Sequence, residues 1–145
     1  MQNKIHNKKI LLIDDDADDR KYFQEALAEI DATIEFVQAK DGQQALEILR
    51  DPNISLPNYI FLDLRMPRIS GKQCLEQIKS DERLKSIPII IYTTSNVIEE
   101  SVDFESLGAV YFISKPSDPD EINNVISFAL EERWKDNSWK QTSSK

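Results

Sequence analysis

The chain has 145 residues, 40% hydrophobic and 30% charged, with three glycines and six prolines; this fits one globular domain with its own core and little low-complexity sequence. A formal net charge of −8 argues against a bulk electrostatic grip on nucleic acid or an anionic membrane surface. The single cysteine, Cys74, excludes an intrachain disulfide and suits a reducing compartment.

The N-terminal segment to Lys9 is polar and basic, and Ile10 to Ile13 form a short apolar run that reads as a buried strand. That run meets three aspartates at once, far short of the roughly 20 residues of a membrane span, so a cytoplasmic protein is expected. Tyr22, Phe23, Ala26, Leu27 and Ile30 recur at helical spacing. Ile34, Phe36 and Val37 read as a second strand. A second helix carries Ala45, Leu46, Ile48 and Leu49, with Asp41 as its N-cap and Pro52 helping to end it. Tyr59 to Leu62 is a third strand, followed by a Pro- and Gly-containing loop over 65–71.

Leu75 and Ile78 mark a short third helix, and Ile87 to Tyr92 is the most β-branched segment and the fourth strand. A fourth helix is expected over roughly 96–107, stopped by Gly108. Val110 to Ile113 is the fifth strand. The last helix starts with Asp118 as cap, Pro119 at its first position and Glu121 completing a capping box; Ile122, Val125, Ile126, Ala129 and Leu130 give its buried stripe. Five β–α units in series predict an α/β fold, a parallel sheet with helices on both faces. Parallel strands buried on both sides read as near-continuous apolar runs, as the first, third and fourth do.

In an open parallel sheet, ligands bind beyond the carboxyl ends of the strands. The first strand ends in Asp14 and Asp15, the third in Asp63 and the fourth in Thr93, and Lys115-Pro116 follows the fifth. Three carboxylates, a hydroxyl and an ammonium therefore converge on one edge. Two unit charges about 4 Å apart repel by roughly 4 kcal/mol at an effective dielectric near 20, so the acids require compensation. Lys115 is one partner. A divalent cation is the other, and hard oxygen ligands favour Mg²⁺. Asp63 is alone on its strand, placed to attack a phosphoryl donor and form an acyl phosphate. Lys115 and the metal neutralise the phosphoryl oxygens, and Thr93 donates a hydrogen bond to one of them. Asp16, Asp18 and Asp19 read instead as the acidic first turn of a helix.

These motifs are Ile-Leu-Leu-Ile-Asp-Asp-Asp at 10–16, Phe-Leu-Asp-Leu-Arg-Met-Pro at 61–67 with Gly71, Ile-Ile-Ile-Tyr-Thr-Thr at 89–94 and Lys-Pro at 115–116. In this order and at these separations, the chain resembles the response-regulator receiver domain of two-component signalling, the CheY-like branch of the flavodoxin-like folds. The resemblance runs from about Lys8 to Arg133. It implies a receiver domain over 8–133 with tails at 1–7 and 134–145, and a doubly wound five-stranded parallel sheet of order 2-1-3-4-5 with five helices. It implies Asp63 as phosphoacceptor, Asp15 as direct Mg²⁺ ligand, Asp14 acting mainly through water, and the Arg65 backbone carbonyl as a further ligand. Thr93 would be the switch hydroxyl and Phe112 the switch aromatic. Lys115 would contact the phosphoryl group, through a cis bond to Pro116.

The function so implied is a single-domain response regulator. A histidine kinase or phosphotransfer protein would supply the phosphoryl group, and a switched protein surface would signal to a target. No nucleic-acid or membrane partner is expected; Trp134 is read as packing on its neighbours within the chain or on a second subunit, which leaves a homodimer as one alternative. The protein would be a switch with self-catalysed uptake and loss of the phosphoryl group, not a turnover enzyme. A Mg²⁺-dependent phosphatase with an Asp nucleophile usually carries a second acid two residues on, where this chain has Arg65. A receiver that works without phosphorylation usually lacks an acid or the lysine, and all are present here. A flavin-binding relative needs a phosphate-cradling first loop, which the acidic loop here would oppose.

Overall fold

The structure is a computed structural model that describes residues 7–66, 71–94 and 105–136. Five strands, β1 (Lys9–Ile13), β2 (Glu35–Ala39), β3 (Tyr59–Leu62), β4 (Ile89–Thr93) and β5 (Tyr111–Ser114), form one sheet of order β2-β1-β3-β4-β5. Every pairing is parallel. Four α-helices lie among the described residues: α1 (Ala17–Ile30), α2 (Gly42–Arg50), α3 (Gly71–Lys79) and α4 (Ile122–Leu130). The further helix expected over 96–107 falls largely on residues outside those described.

Alternate residues of each strand point to opposite faces, and both faces are covered. On one face Ile10, Leu12, Phe61, Ile90 and Tyr92 pack with Phe23 and Leu27 of α1 and Ile126, Ala129 and Leu130 of α4. On the other, Leu11, Ile13, Ile60, Leu62 and Ile89 pack with α2 and α3 through Ala45, Leu49, Cys74, Leu75 and Ile78. The inner strands β3 and β4 are buried throughout, whereas edge strand β2 is only half-buried. Phe23 anchors the first face, its ring 5.0 Å from Phe61 and 5.4 Å from Tyr92 in edge-on contacts.

The helix starts follow capping chemistry. Asp16 accepts from the Asp19 N–H at α1, and Asp41 accepts from the Gln44 N–H at α2. The Gln44 side chain in turn accepts from the Lys40 N–H, one residue before the cap, and ties the incoming chain to the helix start. At the last helix the outcome differs from expectation. Asp118 accepts from Asp120 rather than Glu121, and Pro119–Glu121 wind as a 3-10 turn before α4 begins. The tighter turn brings the Asp120 N–H, not the Glu121 one, onto the cap oxygen. Gly108 turns at φ +96°, the left-handed conformation of a helix stop. Residues 134–136, expected as the start of a tail, belong to the 3-10 turn Arg133–Asp136, and Trp134 packs against the α1–α4 face.

Candidate functional site

The sheet ladder itself sets the site. Ile13 pairs with Ala39 on one side and Leu62 on the other. The next residues keep the pattern: the Asp14 N–H donates to the Ala39 carbonyl and the Asp63 N–H to the Ile13 carbonyl, each at 3.0 Å. The Lys115 N–H donates to the Thr93 carbonyl at 2.6 Å. Backbone hydrogen bonds thus fix Asp14, Asp63 and Lys115 at one rim before any side chain is considered.

Asp63 is buried, and each of its oxygens is engaged. Oδ1 accepts from Thr93 Oγ1 at 2.7 Å and from the Arg65 N–H at 2.9 Å. Oδ2 accepts from Lys115 Nζ at 3.0 Å. Thr93 is wholly buried, so its hydroxyl is aimed at this carboxylate and not at solvent. Lys115 Nζ also stands 2.7 Å from Asp14 Oδ2 and 2.8 Å from Asp19 Oδ2. Burial works against the ammonium, but its contacts with Asp14 and Asp19 outweigh that, and its pKa rises above the ordinary lysine range. It is a fixed cation.

Asp14 is the strained member. Its side chain is fully buried, and desolvation pushes its carboxyl up to about 6, against the opposing pull of Lys115 and the Asp16 N–H. Oδ1 accepts from that N–H at 3.0 Å. Oδ2 lies at ion-pair distance from Lys115 but off the direction of a good hydrogen bond, so a buried carboxylate oxygen has no aligned donor. Carboxylate oxygens of Asp14, Asp15 and Asp63 all lie within 4.8 Å of one another. An under-satisfied buried oxygen among three hard, anionic donors fits a divalent cation. Asp15 is the exposed member, on the open side of the trio.

The expected site residues Asp14, Asp15, Asp63, Thr93 and Lys115 are therefore gathered in one place. Arg65 places its backbone N–H on Asp63 while the residue itself is exposed. Phe112 lies apart from the carboxylates, half-buried against Leu64, Ile91 and Ala109. The Lys115–Pro116 bond differs from the expected cis form: no peptide bond among the described residues is cis. Trans is the lower-energy form even before proline, and Lys115 reaches its three carboxylates from it.

Three contributors escaped the sequence reading. Asp19, read as a solvated helix-start acid, bonds Lys115. The ring of Tyr92, almost fully buried, lies 5.7 Å beneath the Lys115 ammonium and gives it a cation–π floor. Arg20 donates to the Asp14 carbonyl at 2.8 Å and to the Gln38 side chain at 2.9 Å, holding the acidic turn against β2. Asp19 and Arg20 lie in the first turn of α1, which begins directly after the rim aspartates, and that nearness in sequence is the signal that could have found them.

The described residues include no helix long and apolar enough to cross a membrane. Among solved structures, the phosphorylated cyanobacterial phytochrome response regulator RcpA superposes with a TM-score of 0.78 at 33% identity, covering 92% of this chain and 96% of that one. The Mn²⁺-bound form of the response regulator Rcp1, a protein of Synechocystis sp., gives 0.76 at 30% identity, with 86% and 95% covered. The probable methanogenesis regulatory protein FilR2 of Methanothrix harundinacea is 30% identical over 128 residues, 86% of this chain and 82% of that protein. Several other curated relatives are longer, and the chain spans half of their length or less. The family model for the response regulator receiver domain matches residues 10–127, a span that takes in every residue of the rim, and the chain belongs to that family.

Proposed function

We propose that this receiver accepts a phosphoryl group on Asp63 in a Mg²⁺-dependent reaction and works as a signalling switch, not as a turnover enzyme. One observation carries the reading. The buried Asp63 carboxylate is held by Thr93, the Arg65 N–H and Lys115, with oxygens of Asp14 and Asp15 within 4.8 Å. Such a carboxylate is oriented, and the acids gathered around it against a single ammonium leave room for a divalent cation that would offset an incoming anionic group.

Asp14, Asp15, Asp63 and the Arg65 carbonyl would hold Mg²⁺, whose charge neutralises the phosphoryl oxygens during transfer. The chain's own residues do the rest. An Asp63 oxygen attacks phosphorus, and the bond from phosphorus to the donor's leaving atom breaks. Lys115, already a fixed cation, compensates the charge that arrives on the phosphoryl oxygens. Thr93 transfers its hydrogen bond from the carboxylate to a phosphoryl oxygen. Phe112, on the strand next to Thr93, is the ring whose packing against Leu64, Ile91 and Ala109 responds to that shift. The phosphoryl source is a histidine kinase or phosphotransfer protein, the output a changed protein-binding surface, and two packings in equilibrium are the means.

Incubation with acetyl phosphate and Mg²⁺ tests this. One label per chain is expected, lost in Asp63→Asn and on chelation of the metal. Equal labelling of Asp63→Asn would refute the assignment.

A further inference from the structure

Lys115 faces three carboxylates, and Asp19 alone of these stands outside the acidic trio that fits a cation. Its side chain remains 34% exposed while Lys115 is 9% exposed, so Asp19 closes the solvent side of the ammonium. Asp19 is also tethered. It lies in the first turn of α1, where its N–H is fixed by the Asp16 cap at 3.0 Å and its charge is favoured by the helix dipole.

An ammonium has three N–H donors. Cation binding draws on Asp14 and Asp63, and modification of Asp63 converts its carboxylate into an acyl phosphate, whose bridging oxygen is uncharged and whose phosphoryl group is more anionic. Neither event draws on Asp19. It keeps one Lys115 donor and keeps a negative charge beside the place where negative charge accumulates.

We propose that Asp19 is an electrostatic brake on phosphoryl loading, a positioning residue that holds Lys115 toward α1 and opposes the anionic donor and product. The inference rests on Asp63 being the acceptor. The step it slows is balanced: one Asp63 oxygen bonds phosphorus as the bond to the leaving acetate breaks, with no redox partner. Wild type and three variants of the full chain are compared at saturating Mg²⁺. Asp19→Asn removes the charge and retains an acceptor for Lys115, Asp19→Glu retains the charge, and Asp18→Asn makes the same change of net charge at the exposed neighbouring residue.

Labelling by acetyl phosphate should be about 3- to 10-fold faster in Asp19→Asn, and that ratio should shrink at high salt, as expected for a partly exposed charge. Calorimetric affinity for beryllofluoride, a phosphoryl mimic that requires no turnover, should tighten by a similar factor. Asp19→Glu should match wild type, and Asp18→Asn should stay within about twofold of it. Slower or unchanged loading and affinity in Asp19→Asn, with wild type still labelled on Asp63, overturns the brake alone. The same gain in Asp18→Asn overturns it too, because bulk charge would then suffice. Absence of label from wild type, or its persistence in Asp63→Asn, overturns the acceptor reading and the brake together.

Discussion

Gly71 lies directly against the backbone of Asp63. A Cβ at position 71 would stand 2.2 Å from the Asp63 carbonyl oxygen and 2.4 Å from the Leu64 Cα. The contact is main chain on both sides, so no side chain can swing away. Gly71 opens α3 and donates its N–H to the Leu64 carbonyl at 3.3 Å, which keeps α3 tight beneath the acceptor strand. Gly71→Ala must push Asp63 or the helix aside. Overpacking a filled site costs about 1–3 kcal/mol, and a backbone clash puts this variant at the upper end. Urea unfolding should show that loss, and calorimetry should show weakened Mg²⁺ binding, since Asp63 moves with its backbone. Wild-type stability and metal affinity in Gly71→Ala would mean that the approach is looser than described.

Among the described residues, Lys115 is the one ammonium shared by Asp14, Asp19 and Asp63. Lys115→Ala strands two buried carboxylates against each other, and breaking a buried ion pair from one side costs about 3–5 kcal/mol. A divalent cation on the acidic trio supplies replacement positive charge. Unfolding in chelator should therefore show a large loss for Lys115→Ala, and saturating Mg²⁺ should recover more stability in this variant than in wild type, by the linkage between binding and folding. Equal Mg²⁺ stabilisation of the two proteins would separate the metal from the lysine.

The C-terminal residues present a smaller test. Glu132 turns at φ 62° and receives a hydrogen bond from the Tyr59 hydroxyl at the start of β3. Trp134 then folds back, donating Nε1–H to the Ala129 carbonyl at 2.9 Å and packing its ring on the core of the α1–α4 face. Full truncation of a buried Trp costs about 3–5 kcal/mol, and this ring is half-buried. Trp134→Ala should therefore lose about 1–3 kcal/mol, with Trp134→Phe recovering most of it. No loss in thermal unfolding of Trp134→Ala would show that the turn does not anchor the end of the chain.

Strand positions were legible because burial on two sides leaves a plain signature: Tyr59 to Leu62 and Ile89 to Tyr92 are apolar runs, and both are buried throughout. Edge strand β2, with one protected flank, mixes Glu35 and Gln38 with apolar residues and shows the weaker pattern. The carboxylate rim was legible for a topological reason. Parallel strands end on the same side, so Asp14, Asp63 and Thr93 meet wherever α1 lies. Asp19 was not legible, because an acid in a first helical turn is equally suited to solvent; its contact with Lys115, 96 residues away, depends on the packing angle of α1. Tyr92 was masked by its own hydrophobicity, since a buried strand aromatic needs no second reason to be there. The 3-10 start before α4 was hidden for a local reason: the pattern of Asp118, Pro119 and Glu121 suits both kinds of turn.

The pH dependence of the site follows from Asp14. Burial pushes its carboxyl from the ordinary value of 3.8 up to about 6. Between those values the folded chain holds a proton that the unfolded chain has released. The contribution of Asp14 to stability therefore falls as pH rises from about 4 to about 6, and is constant above that. The comparison that isolates Asp14 is wild type against Asp14→Asn, which carries no proton to lose. In chelator, the stability of wild type relative to Asp14→Asn should decline across this window and level off above pH 6. A divalent cation competes with the proton for the same oxygens. Mg²⁺ affinity should accordingly climb over this range, with net proton release on binding below pH 6, detectable as buffer-dependent heat in calorimetry. A stability difference that stays flat from pH 4 to pH 7, together with binding heat independent of buffer, would remove Asp14 as the titrating group.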